Sequence, residues 1–464
     1  MEKWFLILIV ACLFFSICLF RKAAGTLNPG KINIVSGVFY LFMLQSFLGI
    51  SLIMLGLDRH YTLDRLINRE AAISKTFIVI MLVAVAFPLC MVIIQKLLKF
   101  VPSEEYKRYL VKETEVKNDA SAFIVLCIAG AVCILLMLLW FSKIGYIPFF
   151  RLLSAPEGFN FSLARQRISS TYLWHPYVSN ILVLAAIPLL SYCAFAYFLV
   201  KRDKKWGILF FLLLGSSILT KTYDFAKSPV VYYLAVFLVI YIYYKGKIRL
   251  FHMMLVGVGM SALLVFMYWM TGFKGTLLDI YNGPIGRTLF SQLGALLCVF
   301  DAFPSIFNFI GGRSLSGPLL PIIGLSQDMH LRSGRLMMDF YGSEGVYDGT
   351  AGVLNSFFVG EAYANYGMCG ILFAIIWISL LITVLFKVII KLKKTPVMIA
   401  FMATMTLKIA ATTQSGFFDF IFSVDWIFTT ILFIGLYILV DSKNSRCLEL
   451  VQRVYLGIVE RNKK

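Results

Sequence analysis

The sequence predicts an all-α, polytopic membrane protein, and three observations carry that prediction. Of its 464 residues, 60% are apolar and only 14% charged, against roughly 45–50% and about 25% in a water-soluble chain. The mean hydropathy is +0.84, and the apolar residues gather into runs of the length a helix needs to cross a bilayer, about 20 residues for a core of roughly 30 Å. The formal charge of +19 is not a single patch of the kind that meets nucleic acid. It falls in short clusters between the runs, so no nucleic-acid partner is expected.

In chain order the runs are approximately 4–20, 34–57, 74–95, 120–141, 177–200, 206–220, 229–244, 250–271, 366–386, 396–412 and 420–440, about eleven expected transmembrane helices. The first is followed by Arg21 and Lys22 with no small-residue cleavage site, so it is expected to stay as an anchor. Two of them, 206–220 and 396–412, are short. Alternating the loops puts 21–33, 96–119, 201–205, 245–249, 387–395 and 441–464 on one side, where they hold 26 of the 43 Lys and Arg and 9 of the 24 Asp and Glu. The opposite segments hold 16 basic and 15 acidic residues, and Lys408 lies within a run. Basic loops stay in the cytoplasm, which puts the amino terminus outside and the carboxyl terminus inside. Residues 1–271 then carry spans 1 to 8 with an external loop at 142–176. A large external loop at 272–365 separates spans 8 and 9, spans 9 to 11 occupy 366–440, and 441–464 is a cytoplasmic tail. Eight of the nine cysteines sit in apolar sequence and Cys447 follows the last run; buried thiols are expected rather than a disulfide framework.

The large loop contains 15 of the 33 glycines together with Pro284, Pro304, Pro318 and Pro321, punctuation that means turns and short helices. Its stretch Thr288 to Phe300 is apolar but bounded by Arg287 and Asp301 and interrupted by Gln292, which suits an interfacial or re-entrant helix. Ionisable groups are scarce inside the runs, where an ion or proton path would need them. No pair of corresponding broken helices suggests a secondary transporter. The ionisable groups crowd the external ends instead, and that distribution points to binding or chemistry at the outer face.

Four constellations carry the chemistry. Arg151, Arg165 and Arg167 lie on an external loop; guanidinium groups grip phosphate oxygens in pairs, although contact with lipid head groups explains them as well. The short link Lys221-Thr222-Tyr223-Asp224-Phe225-Ala226-Lys227-Ser228-Pro229 holds two lysines about an aspartate, either a phosphate site or a turn closed by a Lys to Asp pair. The large loop offers Arg287, Arg313, Asp328, His330, Arg332, Arg335, Asp339, Glu344, Asp348 and Glu361 among Phe340, Tyr341, Tyr347 and Tyr363, a composition that fits a glycan groove and also an ordinary solvated loop. Finally, Asn355 to Gly370 leads without a break into an apolar run. On a helix Glu361 and Asn365 share a face, and Gly360, Gly367 and Gly370 allow close backbone approach, so Glu361 is a general base, a substrate ligand or a polar group at a helix entry. His60, His175, His252 and His330 are scattered, and neither a metal-ligand pair nor a nucleotide-phosphate loop is present; no metal and no cofactor is expected.

The stretch Gly360-Glu361-Ala362-Tyr363-Ala364-Asn365-Tyr366-Gly367-Met368-Cys369-Gly370 at the end of a large external loop resembles the Wzy-type O-antigen and capsule repeat-unit polymerases. The similarity extends over most of the chain in its plan of about a dozen spans, one dominant late external loop and external arginines. Lys227-Ser228-Pro229 and Arg287 also resemble positions where that family places basic residues, while the Arg-x(10)-Gly motifs of some members are not clearly present. The resemblance implies a GT-C-like membrane fold in a bacterial inner membrane. It implies transfer of a growing glycan from undecaprenyl diphosphate to a lipid-linked oligosaccharide repeat unit at the external face, without ATP or nucleotide sugar. A chain-length regulator and a flippase are the protein partners it implies. On that footing Arg165, Arg167, Lys227 and Arg287 are expected to hold diphosphate. Glu361, Asp339 or Asp224 is expected as base or sugar ligand, and Arg335, Tyr363 and Asn365 as glycan contacts. The alternatives are an O-antigen ligase, similar in plan, and a lipid-linked oligosaccharide flippase, against which the length of the external loop counts.

Overall fold

The computed structural model describes residues 2–154, 159–270, 279–281, 284–347 and 352–441. Asp348, the tail from 442 onward and parts of both long loops lie outside the described residues. Among the described residues there is no strand. The helices used below are α1 (Glu2–Ala24), α2 (Ile34–Met54), α3 (Arg69–Leu97), α4 (Pro102–Val111), α5 (Asp119–Ile144), α6 (Phe161–Ser170), α7 (Val178–Lys201), α8 (Lys204–Lys221), α9 (Ser228–Lys245), α10 (Leu250–Met270), α11 (Gln292–Ala302), α12 (Ser333–Tyr341), α13 (Phe357–Lys391), α14 (Pro396–Thr412) and α15 (Val424–Asp441). Nine helices among the described residues are long and apolar enough to cross a membrane. The two expected spans outside that set are the short ones: α8, a helix of 18 residues, and α14, one of 17.

Contacts divide the chain into two units that do not follow sequence order. The first comprises Met1–Lys107, Lys274–Ile390 and Thr406–Ser423, and the second Arg108–Phe273, Lys391–Met405 and Val424–Lys464.

In the first unit α1 packs along α3, with Phe20 set among Phe39, Phe42 and Phe87 at 5.2, 6.4 and 6.2 Å between ring centroids. Asn33 starts α2 through a reciprocal cap with Ser36, which satisfies backbone donors that no water could reach. A π-helical stretch, Met43–Phe47, interrupts α2, and a second, Arg287–Ser291, leads into α11. The two pack together because Gly49 has no side chain: a Cβ there would collide with the Leu289 carbonyl. From Leu293 to Ala302 every residue of α11 is buried. That helix is enclosed on all faces, unlike an interfacial helix, which keeps one polar side.

In the second unit Asp119 opens α5 and accepts hydrogen bonds from Lys205 and from Trp206 Nε1, the latter at 2.7 Å. The Trp206 indole stacks on Tyr197 at 4.3 Å. At the other end of α5, Trp140 Nε1 and Lys143 donate to the carbonyls of Thr171 and Tyr172, both at 2.8 Å, which ties down the loop that carries α6. α10 buries only Met267 and exposes Phe251, Met254, Leu255, Val258 and Trp269, a continuous apolar surface suited to lipid rather than water.

Candidate functional site

The first unit builds a site around Glu361. α13 is two helices joined at a bend, with Tyr366 at φ −138°, ψ 16° and Gly367 at φ +61°, ψ −148°. Gly367 supplies a left-handed conformation that other residues avoid. Gly370 lets the chain fold back, since a Cβ there would strike the Ala362 carbonyl. The short segment 357–365 is buried at every position, so Glu361 is carried into the protein interior on a helix of about two and a half turns.

Its carboxylate is only 3% exposed. Oε2 accepts the backbone N–H of Phe418 at 2.9 Å, and it packs so closely on Gly416 that a Cβ there would push the carboxylate aside. Oε1 faces Arg332, whose Nε lies 3.7 Å away. This exceeds hydrogen-bond length, so Oε1 keeps acceptor capacity. The Arg332 guanidinium is itself held by Asp419, Nη2 to Oδ2 at 2.7 Å, and these two side chains are 35% and 30% exposed. The group is thus a buried acid with one polar, partly open side.

The loop behind it is organised by Asn365. Its Oδ1 accepts from the backbone of Gly312 at 3.0 Å and Ser314 at 3.4 Å. Its Nδ2 donates to Ser314 Oγ at 3.0 Å and to the Glu361 carbonyl at 2.7 Å. Ser314 Oγ in turn donates to the Leu331 carbonyl at 3.2 Å, and Leu331 N–H donates to the Arg313 carbonyl at 3.0 Å. These bonds set the chain immediately before Arg332. Tyr363 is buried beside Phe300 and Phe309 at 4.6 and 5.6 Å, with its hydroxyl 3.5 Å from the Phe303 carbonyl.

Arg335 and Asp339 pair with each other along α12 at 2.9 Å, both nearly half exposed. Arg287 is exposed at the start of its π-helical stretch. The far end of α12 is fixed by a buried carboxylate, Asp301, which accepts from Ile67 N–H at 2.8 Å, Asn68 N–H at 2.7 Å and the Tyr341 hydroxyl at 2.7 Å. Arg65 adds a bond to the Tyr341 carbonyl at 3.0 Å. Burial and the neighbouring Asp301 charge push the Tyr341 phenol well above its ordinary range.

The second unit brings together two constellations that are far apart in sequence. Arg165 of α6 meets Asp224 at 3.4 Å, while Phe159 and Phe161 place their rings 6.1 and 5.2 Å from Phe225. Asp224 is largely buried and also accepts the Ala226 N–H at 3.1 Å. Lys227 lies over the Tyr268 ring at 4.4 Å, and Lys221 donates to the Leu184 carbonyl at 3.2 Å. Arg167 is exposed on α6. Burial and the Asp224 charge push the Tyr223 phenol up to about 12. Arg165 on Asp224, Lys221 and Lys227 in the same short link and Arg167 exposed on α6 outnumber that one carboxylate, a net positive charge suited to an anion.

Sequence reasoning missed Gly416 and the Phe418 N–H as partners of Glu361, Asp419 as the anchor of Arg332, and Asp301 as the fixed point of α12. The interruption of an apolar run by Ser415-Gly416-Phe417-Phe418-Asp419 is the signal that could have found the first three. Among the described residues no group of three or more His, Cys, Asp or Glu side chains could hold a metal ion. No family model, no curated protein and no solved structure matches the chain.

Proposed function

We propose that the protein is a membrane polymerase that moves a growing glycan from an undecaprenyl diphosphate carrier to a lipid-linked oligosaccharide repeat unit. The observation that carries this reading is Glu361, a buried carboxylate with one oxygen fixed by backbone and the other turned to a partly exposed Arg332–Asp419 pair. In the reaction an acceptor hydroxyl loses its proton to Glu361 Oε1 as its oxygen bonds to the anomeric carbon. The bond from that carbon to the diphosphate oxygen breaks, and the carrier leaves as its diphosphate. A base must come within hydrogen-bond reach of the proton it takes, and fixed cations stabilise the charge that grows on the leaving group. Each unit by itself supplies cations assigned to diphosphate: Arg287 in the first, and Arg165, Arg167 and Lys227 in the second. Arg335 and Asp339 border the glycan, with Tyr363 and Asn365 shaping the wall behind it.

The reading includes eleven spans, with α8 and α14 as the two short ones, and a GT-C-like arrangement. It places the amino terminus and the segment 272–365 outside a bacterial inner membrane, with the basic loops in the cytoplasm. The test is deletion of the gene followed by gel analysis of surface glycan and lipid-linked intermediates. Single-repeat surface material, or single repeats accumulated on carrier, is the expected result. Full-length polymer left on its carrier would make the protein a ligase, and unaltered glycan would overturn both.

A further inference from the structure

In the first unit the chain from Arg313 to Leu331 forms a closed loop beside α13. Its ends are joined by the Leu331 N–H on the Arg313 carbonyl at 3.0 Å and by His330 Nδ1 on the Leu315 carbonyl at 2.8 Å. The bonds from Gly312 and Ser314 to Asn365 fix its start on α13. In its middle is a short 3₁₀ helix, Gly317–Ile323. Leu320 is buried there, whereas Pro318, Pro321, Ile322 and Ile323 are exposed, Ile322 by as much as 78%. The exposed polar residues Ser326, Gln327 and Asp328 follow only after these apolar ones. The backbone of the segment also suits an apolar surrounding, where an unpaired donor is costly. Pro318 and Pro321 have no N–H, and the N–H groups of Leu319, Gly324 and Leu325 donate to the Ser316, Pro321 and Leu320 carbonyls at 2.8, 3.2 and 3.1 Å.

This apolar surface continues that of a membrane span. On α13 Met368, Leu372, Phe373, Ile376 and Leu380 are exposed, and their spacing of three and four residues puts them in one stripe. A helix long and apolar enough to cross a membrane turns such a stripe to lipid. Tyr366 and Phe309, next to its end, are exposed as well. A Cβ on Gly367 would lie 3.1 Å from the Phe309 ring. One on Gly312 would collide with the Tyr366 hydroxyl and lie 3.1 Å from Ile323 Cδ1. The stripe therefore passes from Met368 by way of Tyr366 to Ile323. A tyrosine at that junction, with an apolar ring and a polar tip, matches the boundary between hydrocarbon and head groups.

We infer that Gly317–Ile323 is seated in the bilayer at the end of α13 that carries Tyr366, with Ile322 and Ile323 among the acyl chains and Asp328 in water. The inference uses the span α13 and does not require the polymerase reading. To test it, full-length protein is reconstituted into vesicles of phosphatidylcholine and phosphatidylglycerol with a nitroxide-bearing amino acid in place of Ile322, Ile323, Asp328 or Leu372, one at a time. All four positions are exposed. Spin-label saturation reads collisions with oxygen, which gathers in hydrocarbon, and with a nickel chelate, which stays in water. The ratio of oxygen to nickel collisions at Ile322 and Ile323 should match that at Leu372 and exceed that at Asp328 by about tenfold, as partition between apolar and aqueous surroundings dictates. Leu372 reading as lipid and Asp328 as water shows that the labelled chains are folded. A ratio at Ile322 and Ile323 as low as at Asp328 puts the segment in water and overturns the inference. Few collisions with either reagent at those two positions would mean that protein covers them, and overturns it too.

Discussion

The two units handle charge in opposite ways. In the first, a single acid is taken out of water and surrounded by partners fixed in the backbone: the Phe418 N–H, the bare Cα of Gly416, and Arg332, which is itself anchored on Asp419. In the second, the exposed Arg165 and Arg167 and the half-buried Lys221 and Lys227 outnumber one carboxylate, Asp224, which Arg165 meets at 3.4 Å. A buried, rigid group pays for its geometry in desolvation and is suited to one act at one atom. A surface cluster remains adaptable and suits a multiply charged head group that arrives from the membrane plane. Substitutions should therefore have steep effects in the first unit and graded ones in the second.

The largest expected effect is that of Glu361→Gln, which preserves shape and removes the proton acceptor. Polymer should be absent from gels of surface glycan while protein levels hold. Gly416→Ala should reproduce much of that loss while keeping the acid, because the added methyl pushes its carboxylate off the Phe418 N–H. Normal chain length in both variants would show that the acid is structural. Next in size is Arg332→Ala. Losing the guanidinium leaves Glu361 and Asp419 without the cation they share, at a cost of about 1–3 kcal/mol, read as a roughly 10- to 100-fold loss of turnover. Arg332→Lys should restore little, since a point charge cannot reach both Asp419 and Glu361 as a guanidinium does. Recovery by lysine to near wild-type turnover of lipid-linked repeat units would reduce the role of Arg332 to simple charge.

Smaller effects are expected in the second unit. Arg165→Ala and Lys227→Ala should each weaken use of the lipid-linked donor by about tenfold, seen as a higher KM with kcat nearly kept. The double variant should be close to the product of the two, because the cations contact different partners, Asp224 and the Tyr268 ring. A kcat collapse from either single change would erase the distinction between the units.

What the sequence makes legible follows from the range over which each signal acts. Hydropathy is a local sum, so the positions of the apolar helices are visible in it, and so is the shortness of α8 and α14. The shared face of Glu361 and Asn365 is also local; the bond from Asn365 Nδ2 to the Glu361 carbonyl, four residues back, is its realisation. The bend at Tyr366–Gly367 is only half visible, since glycines announce close approach but not the separation of 357–365 from the span that follows. Contacts between distant segments leave no periodic trace. Asp419 lies 87 residues from Arg332 and Asp301 lies 40 from Tyr341. Neither pairing could be read from spacing.

pH separates the units through stability rather than turnover. His60, in the first unit, is buried with its Nδ1 2.8 Å from Thr62 Oγ1 and 3.3 Å from the Thr62 N–H. Since a backbone N–H can only donate, Nδ1 is the acceptor and the proton of the neutral ring sits on Nε2. Burial lowers its pKa from 6.5 to about 4, with Asp64 opposing. The folded state therefore binds fewer protons than the open state between those values, and stability falls as pH drops from 6.5 toward 4. Lys394, in the second unit, is buried with Nζ donating to the carbonyls of Tyr109, Leu110 and Lys112 at 3.3, 3.1 and 2.7 Å. Burial, together with the Lys112 charge, lowers it from 10.5 to about 8. By the same linkage, stability rises as pH climbs from 8 toward 10.5. Amide exchange on the intact protein should show faster opening of segment 60–66 in acid and slower opening of 109–115 in alkali, each changing by at most about 3 kcal/mol from one end of its window to the other. His60→Phe should flatten the acid response and Lys394→Met the alkaline one. If either variant leaves both responses unchanged, the group it removes does not set the pH dependence of its unit.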